Sequence, residues 1–248
     1  MGRDEELPHL EMQCGFARCS FARELDRKLA VVHRLALWLS TSRKVDGLWI
    51  GSWESKPQPG LRRVEDALRL IKQHDSLHYS HVIHNLERIW LHLVPNALKH
   101  YDRSLNACVL DERFVLLETT TLERIASTIV HEATHARLAR WGISYGDEKT
   151  RPRIEAICLR RELNIIAKLP NCKPLREQIA RTLEWCDSNH NYFSDVSFQR
   201  RNDQGYVEAL RYLGTPDWLI RLVLNVRAVI FRVHRFVHRF AGRPSLQA

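Results

Sequence analysis

The segment Ile129-Val130-His131-Glu132-Ala133-Thr134-His135 sets two histidines four residues apart with a glutamate beside the first. On a helix, side chains at i and i+4 point the same way, so both imidazoles reach one metal ion. The glutamate next to that ion is close enough to take a proton from a water there. This His-Glu-x-x-His arrangement is the core of a zinc site that activates water for hydrolysis. The chain contains 13 histidines, so the bare match counts for less than its setting within a helix.

A catalytic zinc needs a third protein ligand and one position left for water. Glu155 is the expected third ligand, near the start of the following helix. Glu162, two turns further along the same face, competes with it, as do Asp147 and Glu148 in the connecting loop. His190 is a more distant imidazole.

The elements that must carry these residues are readable. Thr120 and Glu123 have the spacing of a capping box, with Thr as N-cap and Glu at N3. Leu122, Ile125, Ala126, Ile129 and Ala133 then recur at helical spacing and give one buried face. Gly142, after Trp141, ends the helix. Thr150 and Pro152 suit the first turn of a second helix, which continues through Arg153-Ile154-Glu155-Ala156-Ile157-Cys158. A connection as short as residues 143–149 folds the second helix back on the first as an αα-hairpin.

With His131, Glu132, His135 and Glu155 in this order, residues 120–165 resemble the gluzincin branch of the zincin metallopeptidases, typified by thermolysin-like enzymes. The resemblance implies a Zn²⁺ ion held by His131, His135 and Glu155, with Glu132 as general base toward a peptide or protein substrate. It also implies that Tyr145, between the second histidine and the glutamate, steadies the oxyanion. Two positions depart from the pattern. Arg137 stands where an apolar residue is preferred, and Leu159 stands where thermolysin-like enzymes place an aspartate one turn after the glutamate. Glu155-Ala156 and Leu169-Pro170 also look like features of the compact peptidases that cleave phage-type repressors.

The expected fold class is α+β: a zincin-like domain, mostly helical, with a small twisted sheet before the metal-binding helix. Residues 21–39 read as an amphipathic helix. Residues 43–60, rich in Gly and Pro, read as a loop or irregular hairpin whose Trp49 and Trp53 either anchor to the core, the expected reading, or line a cleft. A helix follows from Leu61 through Ile71. Ile89-Trp90-Leu91-His92-Leu93 and Ala107-Cys108-Val109-Leu110 read as strands, with a turn at Asp111-Glu112-Arg113. The zincin resemblance implies that the 105–117 region is the edge strand that pairs with an extended peptide. The organisation expected is residues 1–60 as an N-terminal helix and irregular segment, 61–215 as the metallopeptidase domain, and 216–248 as a basic helix.

His74, His78, His81 and His84 recur at intervals of four, three and three. That spacing suits one helix face, but ordinary surface or core histidines are the expected reading. The six cysteines are irregularly spaced. With a polar N-terminus and no apolar leader, they are expected to be free thiols in a reducing, cytoplasmic compartment. Cys14 and Cys19 with His9 form at most an unusual metal knuckle.

The net charge is +9, and from Trp218 onward there are six arginines (221, 227, 232, 235, 239, 243) and no acidic residue. This end reads as an amphipathic helix that either docks on the core or lies on an anionic membrane surface, arginines toward phosphates. Nucleic acid is not an expected partner. Two further readings of the chain stay open: a catalytically inactive zincin-like binding or regulatory module, and a peripheral membrane protein that works through its basic helix.

Overall fold

The computed structural model describes residues 31–53, 57–94, 98–143, 145–224 and 226. After helix α1 (Val31–Leu39), strands β1 (Thr41–Val45) and β2 (Leu48–Ser52) form a regular hairpin. Its two-residue turn is Asp46-Gly47, with φ of 47° and 89°. Both values are positive, as a type I′ turn requires, so the expected irregular segment is an ordered hairpin. Gly51 is obligatory here, because the Trp49 ring lies against its α-carbon where a side chain would stand.

Helices α2 (Pro57–His74) and α3 (Ser76–Asn85) cross from β2 to β3 (Arg88–His92). A connection of that kind is needed because β2 and β3 are parallel. Next come β4 (Lys99–Asp102) and β5 (Ala107–Asp111). Among the described residues the sheet has five strands in the order β1-β2-β3-β5-β4; β2, β3 and β5 run parallel, while β1 and β4 are antiparallel edges. It runs across residue 60, where the sequence pattern changes.

Every residue of β5 is buried, as expected of a strand with neighbours on both sides and cover on both faces. Cys108 and Leu110 enter the main core, whereas Ala107 and Val109 join a smaller cluster with Ala36 and Trp90. This alternation is the period-2 geometry of a strand. The strand expected at 105–117 is therefore interior, and β4 is the edge. Asp111-Glu112-Arg113 is not a free turn either. Asp111 caps the short helix α4 (Glu112–Leu116), accepting from the Arg113 N–H, while its other oxygen accepts from the Val94 N–H at 2.9 Å.

The main core is built on α2 and α5 (Leu122–Arg140), then closed by α6 (Arg151–Ile166) and α7 (Lys173–Ser188). Leu61, Val64, Leu68 and Ile71 form the buried stripe of α2, and Ile125 and Ile129 that of α5. Burial of each such Leu or Ile contributes about 2 kcal/mol through removal from water. A short 3-10 turn (His190–Phe193) and α8 (Asp195–Tyr212) follow. The architecture is thus α+β, mostly helical, with a small mixed sheet.

Residues 217–224 are helical, but most of the basic C-terminal segment, like residues 1–30 with His9, Cys14 and Cys19, lies outside the described residues. Among the described residues no helix is long and apolar enough to cross a membrane. Trp49 is half-buried against the smaller cluster, and Trp53, half exposed, packs its ring on the buried Trp90 with centroids 6.1 Å apart.

Candidate metal centre

Helix α5 starts one residue later than the capping-box reading. Thr121, not Thr120, is the N-cap, accepting from the Arg124 N–H at 3.2 Å, so Glu123 is not its reciprocal partner. The helix then runs unbroken to Arg140, and Gly142 follows with φ +80°. His131 and His135 therefore share a face, with their Nε2 atoms 3.1 Å apart.

Helix α6 folds back along α5 and turns Glu155 toward both rings. One carboxylate oxygen lies 3.3 Å from His131 Nε2 and the other 3.4 Å from His135 Nε2. Donor atoms around a tetrahedral zinc, with bonds of about 2.0–2.1 Å, stand about 3.3–3.4 Å apart. Two imidazole nitrogens and a carboxylate at this spacing fit such an ion. Cys158, one turn after Glu155, adds a fourth candidate: its sulfur and the two imidazoles lie within 4.8 Å of one another, a group able to hold a metal ion. Sequence reasoning passed over Cys158, although three-residue spacing from Glu155 puts it on the same face of α6.

Glu162, considered above as a competing ligand, has a different place. Its Oε1 lies 2.5 Å from Nδ1 of His131, the nitrogen facing away from the Glu155 carboxylate, and both side chains are buried. A carboxylate on the far nitrogen fixes the ring and leaves Nε2 for a metal. The position of the aspartate expected one turn after Glu155 is filled by Leu159, which is buried in the main core. Glu162, one turn further on, faces the ring instead.

Lys99, on edge strand β4, enters the same cluster. Its ammonium stands 3.0 Å from Glu162 Oε1 and 3.7 Å from Glu132 Oε1. Nothing in the sequence pointed to it, because β4 is short and lies far from the motif in the chain. Glu132 is almost wholly buried beside it.

Tyr145 packs its ring edge-on to His135, with centroids 5.4 Å apart. Burial, then the facing Glu155 carboxylate, hold its phenol well above the ordinary range. Its loop is pinned by Arg151, whose Nε donates to the Tyr145 carbonyl and whose Nη1 donates to the Phe193 carbonyl, each at 2.9 Å. The other loop acids are engaged elsewhere. Asp147 accepts from the Lys149 N–H and Glu148 from the Asp195 N–H. The His190 side chain lies outside the described residues.

Electrostatics follow from this crowding of charge. Burial and Lys99 oppose protonation of His131, but the Glu162 and Glu155 carboxylates outweigh them and raise it to about 9. Burial pushes Glu162 up, yet Lys99 and His131 prevail and hold it at about 2. Glu155 is likewise held well below the ordinary range by the two imidazoles, against its burial. The Cys158 thiol goes the other way: burial, reinforced by Glu155, raises it well above its ordinary value. Glu155 is thus an ionised donor before any metal arrives, and Cys158 is not.

Arg137 points away from this centre. Its guanidinium stacks 4.5 Å over Trp141 and approaches His81 on another face of α5. Of the second histidine group, His74 ends α2, while His78, His81 and His84 ride on α3. Among the described residues these four form no metal-ready group.

Comparison of the chain with protein-family models, curated proteins and solved structures yields no match.

Proposed function

We propose that this chain is a zinc-dependent peptidase of zincin-like, gluzincin type. The observation that carries the reading is the meeting of three side chains: the His131 and His135 Nε2 atoms lie 3.1 Å apart, and one Glu155 oxygen lies 3.3 Å from the first while the other lies 3.4 Å from the second. Zinc bound there would supply a Lewis acid that makes a water nucleophilic near neutral pH and polarises a carbonyl. Around it the chain's own groups divide the work. Glu132 takes the proton of the attacking water and returns it to the departing amine. Glu162 orients His131, and Lys99 keeps the buried Glu132 and Glu162 charges balanced. Tyr145, beside His135, donates toward the developing oxyanion. Edge strand β4, unpaired on one side among the described residues, suits an extended peptide that adds to the sheet.

The test is metal analysis together with Glu132→Gln. About one zinc per chain, cleavage of a peptide library by the natural protein, and loss of cleavage with metal retained in the variant are expected. Undiminished cleavage by Glu132→Gln would reject the general-base role. A protein that takes up no zinc rejects the reading as a whole.

One observation favours a second reading, an inactive zincin-like binding module. The Lys99 ammonium, 3.7 Å from Glu132, competes for the carboxylate that a base must offer to water. Zinc uptake with no cleavage of any peptide supports that module.

A further inference from the structure

On another face of α5 from the metal centre, α3, α5 and α6 enclose a cavity of about 50 Å³, partly open to solvent. Among the described residues its wall includes Arg137, Arg161, His78 and His81 and not one acidic residue. Neither arginine has a carboxylate partner among the described residues. Two guanidiniums facing one hollow without a counter-charge repel each other unless an anion lies between them.

The histidine supplies a second, independent sign. His78 is 4% exposed. Its Nδ1 lies 2.5 Å from the Asp75 carboxylate, which also pairs with Lys168 at 2.7 Å. The other ring nitrogen, Nε2, is buried with no hydrogen-bond partner among the described residues. A buried polar atom left so costs about 1–3 kcal/mol, and a ligand oxygen in the cavity would satisfy it. His81 takes no share of the positive charge. Burial and the neighbouring Arg137 lower its proton affinity, leaving it to bridge toward Arg137 at 3.5 Å.

We propose that this cavity binds a compact oxyanion of the phosphate type, gripped by Arg137 and Arg161 and capped by His78 Nε2. Planar guanidinium forks match phosphate oxygens in pairs, and the apolar remainder of the wall, including Val82 and Ile157, holds the ion out of bulk water. The anion is either free phosphate or the phosphate group of a small phosphorylated molecule. The site does not depend on the zinc reading, since none of its residues belongs to the metal cluster.

The experiment is calorimetric titration of the full chain, as purified with its metal, with inorganic phosphate at constant ionic strength. One saturable site is expected, weakened about tenfold or more by Arg161→Gln and by Arg137→Gln, with metal content and melting temperature unchanged in Arg161→Gln. Arg161 has no bonded partner among the described residues, so Arg161→Gln tests the site even if Arg137→Gln, which also loses the Trp141 stack, unfolds. A phosphomonoester titrated in parallel separates the two sources: tighter binding points to a phosphorylated molecule, weaker binding to the free ion. Absence of a saturable site, or binding that both variants retain in full, overturns the proposal, the latter because the ion then sits on the metal or elsewhere.

Discussion

Glu162 stands 2.5 Å from the nitrogen of His131 that faces away from Glu155, so one imidazole is gripped on both edges by carboxylates of the same helix. Seven residues separate the two acids. That spacing keeps them on one face of α6 while spanning the width of a ring. His131 consequently has little freedom to rotate.

Glu162→Gln should therefore loosen the metal site without dismantling it. Loss of an outer-shell partner lowers metal affinity by about 10- to 100-fold, and competition with a chromophoric chelator measures it directly. Affinity within a factor of two of the natural protein would mean that His131 needs no orienting carboxylate.

The same contacts make the metal-free protein sensitive to pH in both directions. His131 is raised from 6.5 to about 9, so its favourable contribution is complete below pH 6.5 and is lost as pH rises through about 9. Glu162 is held down from 4.5 to about 2, so its contribution is complete above pH 4.5 and is lost as pH falls through about 2. Urea unfolding of chelator-stripped protein should show both losses. Zinc must displace the His131 proton, so its affinity should climb about tenfold per pH unit toward pH 9; a flat profile would contradict the assigned protonation.

Glu155 and Cys158 can be told apart by substitution. Glu155→Ala removes the ionised donor that touches both imidazoles and should abolish stoichiometric zinc. Cys158→Ser removes a protonated, fully buried thiol packed against Leu138 and Ile154, and should keep the zinc at a modest stability loss of about 1 kcal/mol. The reverse outcome, measured by metal content after gel filtration, would make the cysteine the third ligand.

Lys99 holds two buried carboxylates apart from solvent and from each other. Lys99→Met takes from Glu132 and Glu162, only 3% and 4% exposed, the ammonium they share, leaving Glu162 with His131 alone. The metal-free variant should lose about 2 kcal/mol, a figure kept below that of a fully buried pair because Lys99 itself is 28% exposed. Its acid unfolding should also begin at higher pH, since Glu162 loses the charge that contributes most to holding it low. Lys99→Arg should restore most of the loss. Unchanged acid unfolding in Lys99→Met would remove the lysine from this network.

Local spacing was enough to derive much of the site. The i, i+4 relation of His131 and His135, the position of Glu132, and the short connection that returns Glu155 to the same region are all properties of neighbouring residues on two helices. The α+β class followed in the same way, from helical periodicity in 122–140 and apolar runs at 89–92 and 107–110. Even the departures at Arg137 and Leu159 were visible as departures, though not what stood in for them.

Tertiary structure alone decided the rest, because it depended on contacts between distant segments. That β5 is interior and β4 the edge is set by hydrogen bonding across the sheet, which single-strand patterns do not encode. Lys99 reaches Glu132 and Glu162 from 33 and 63 residues away, a proximity created by the packing of the sheet edge on α5. The cavity behind α5 needs three helices to exist at all, so His78, His81, Arg137 and Arg161 look ordinary in the sequence and become a site only where those helices meet. Periodicity specifies which way a side chain points from its own element; what it meets there is set by long-range packing.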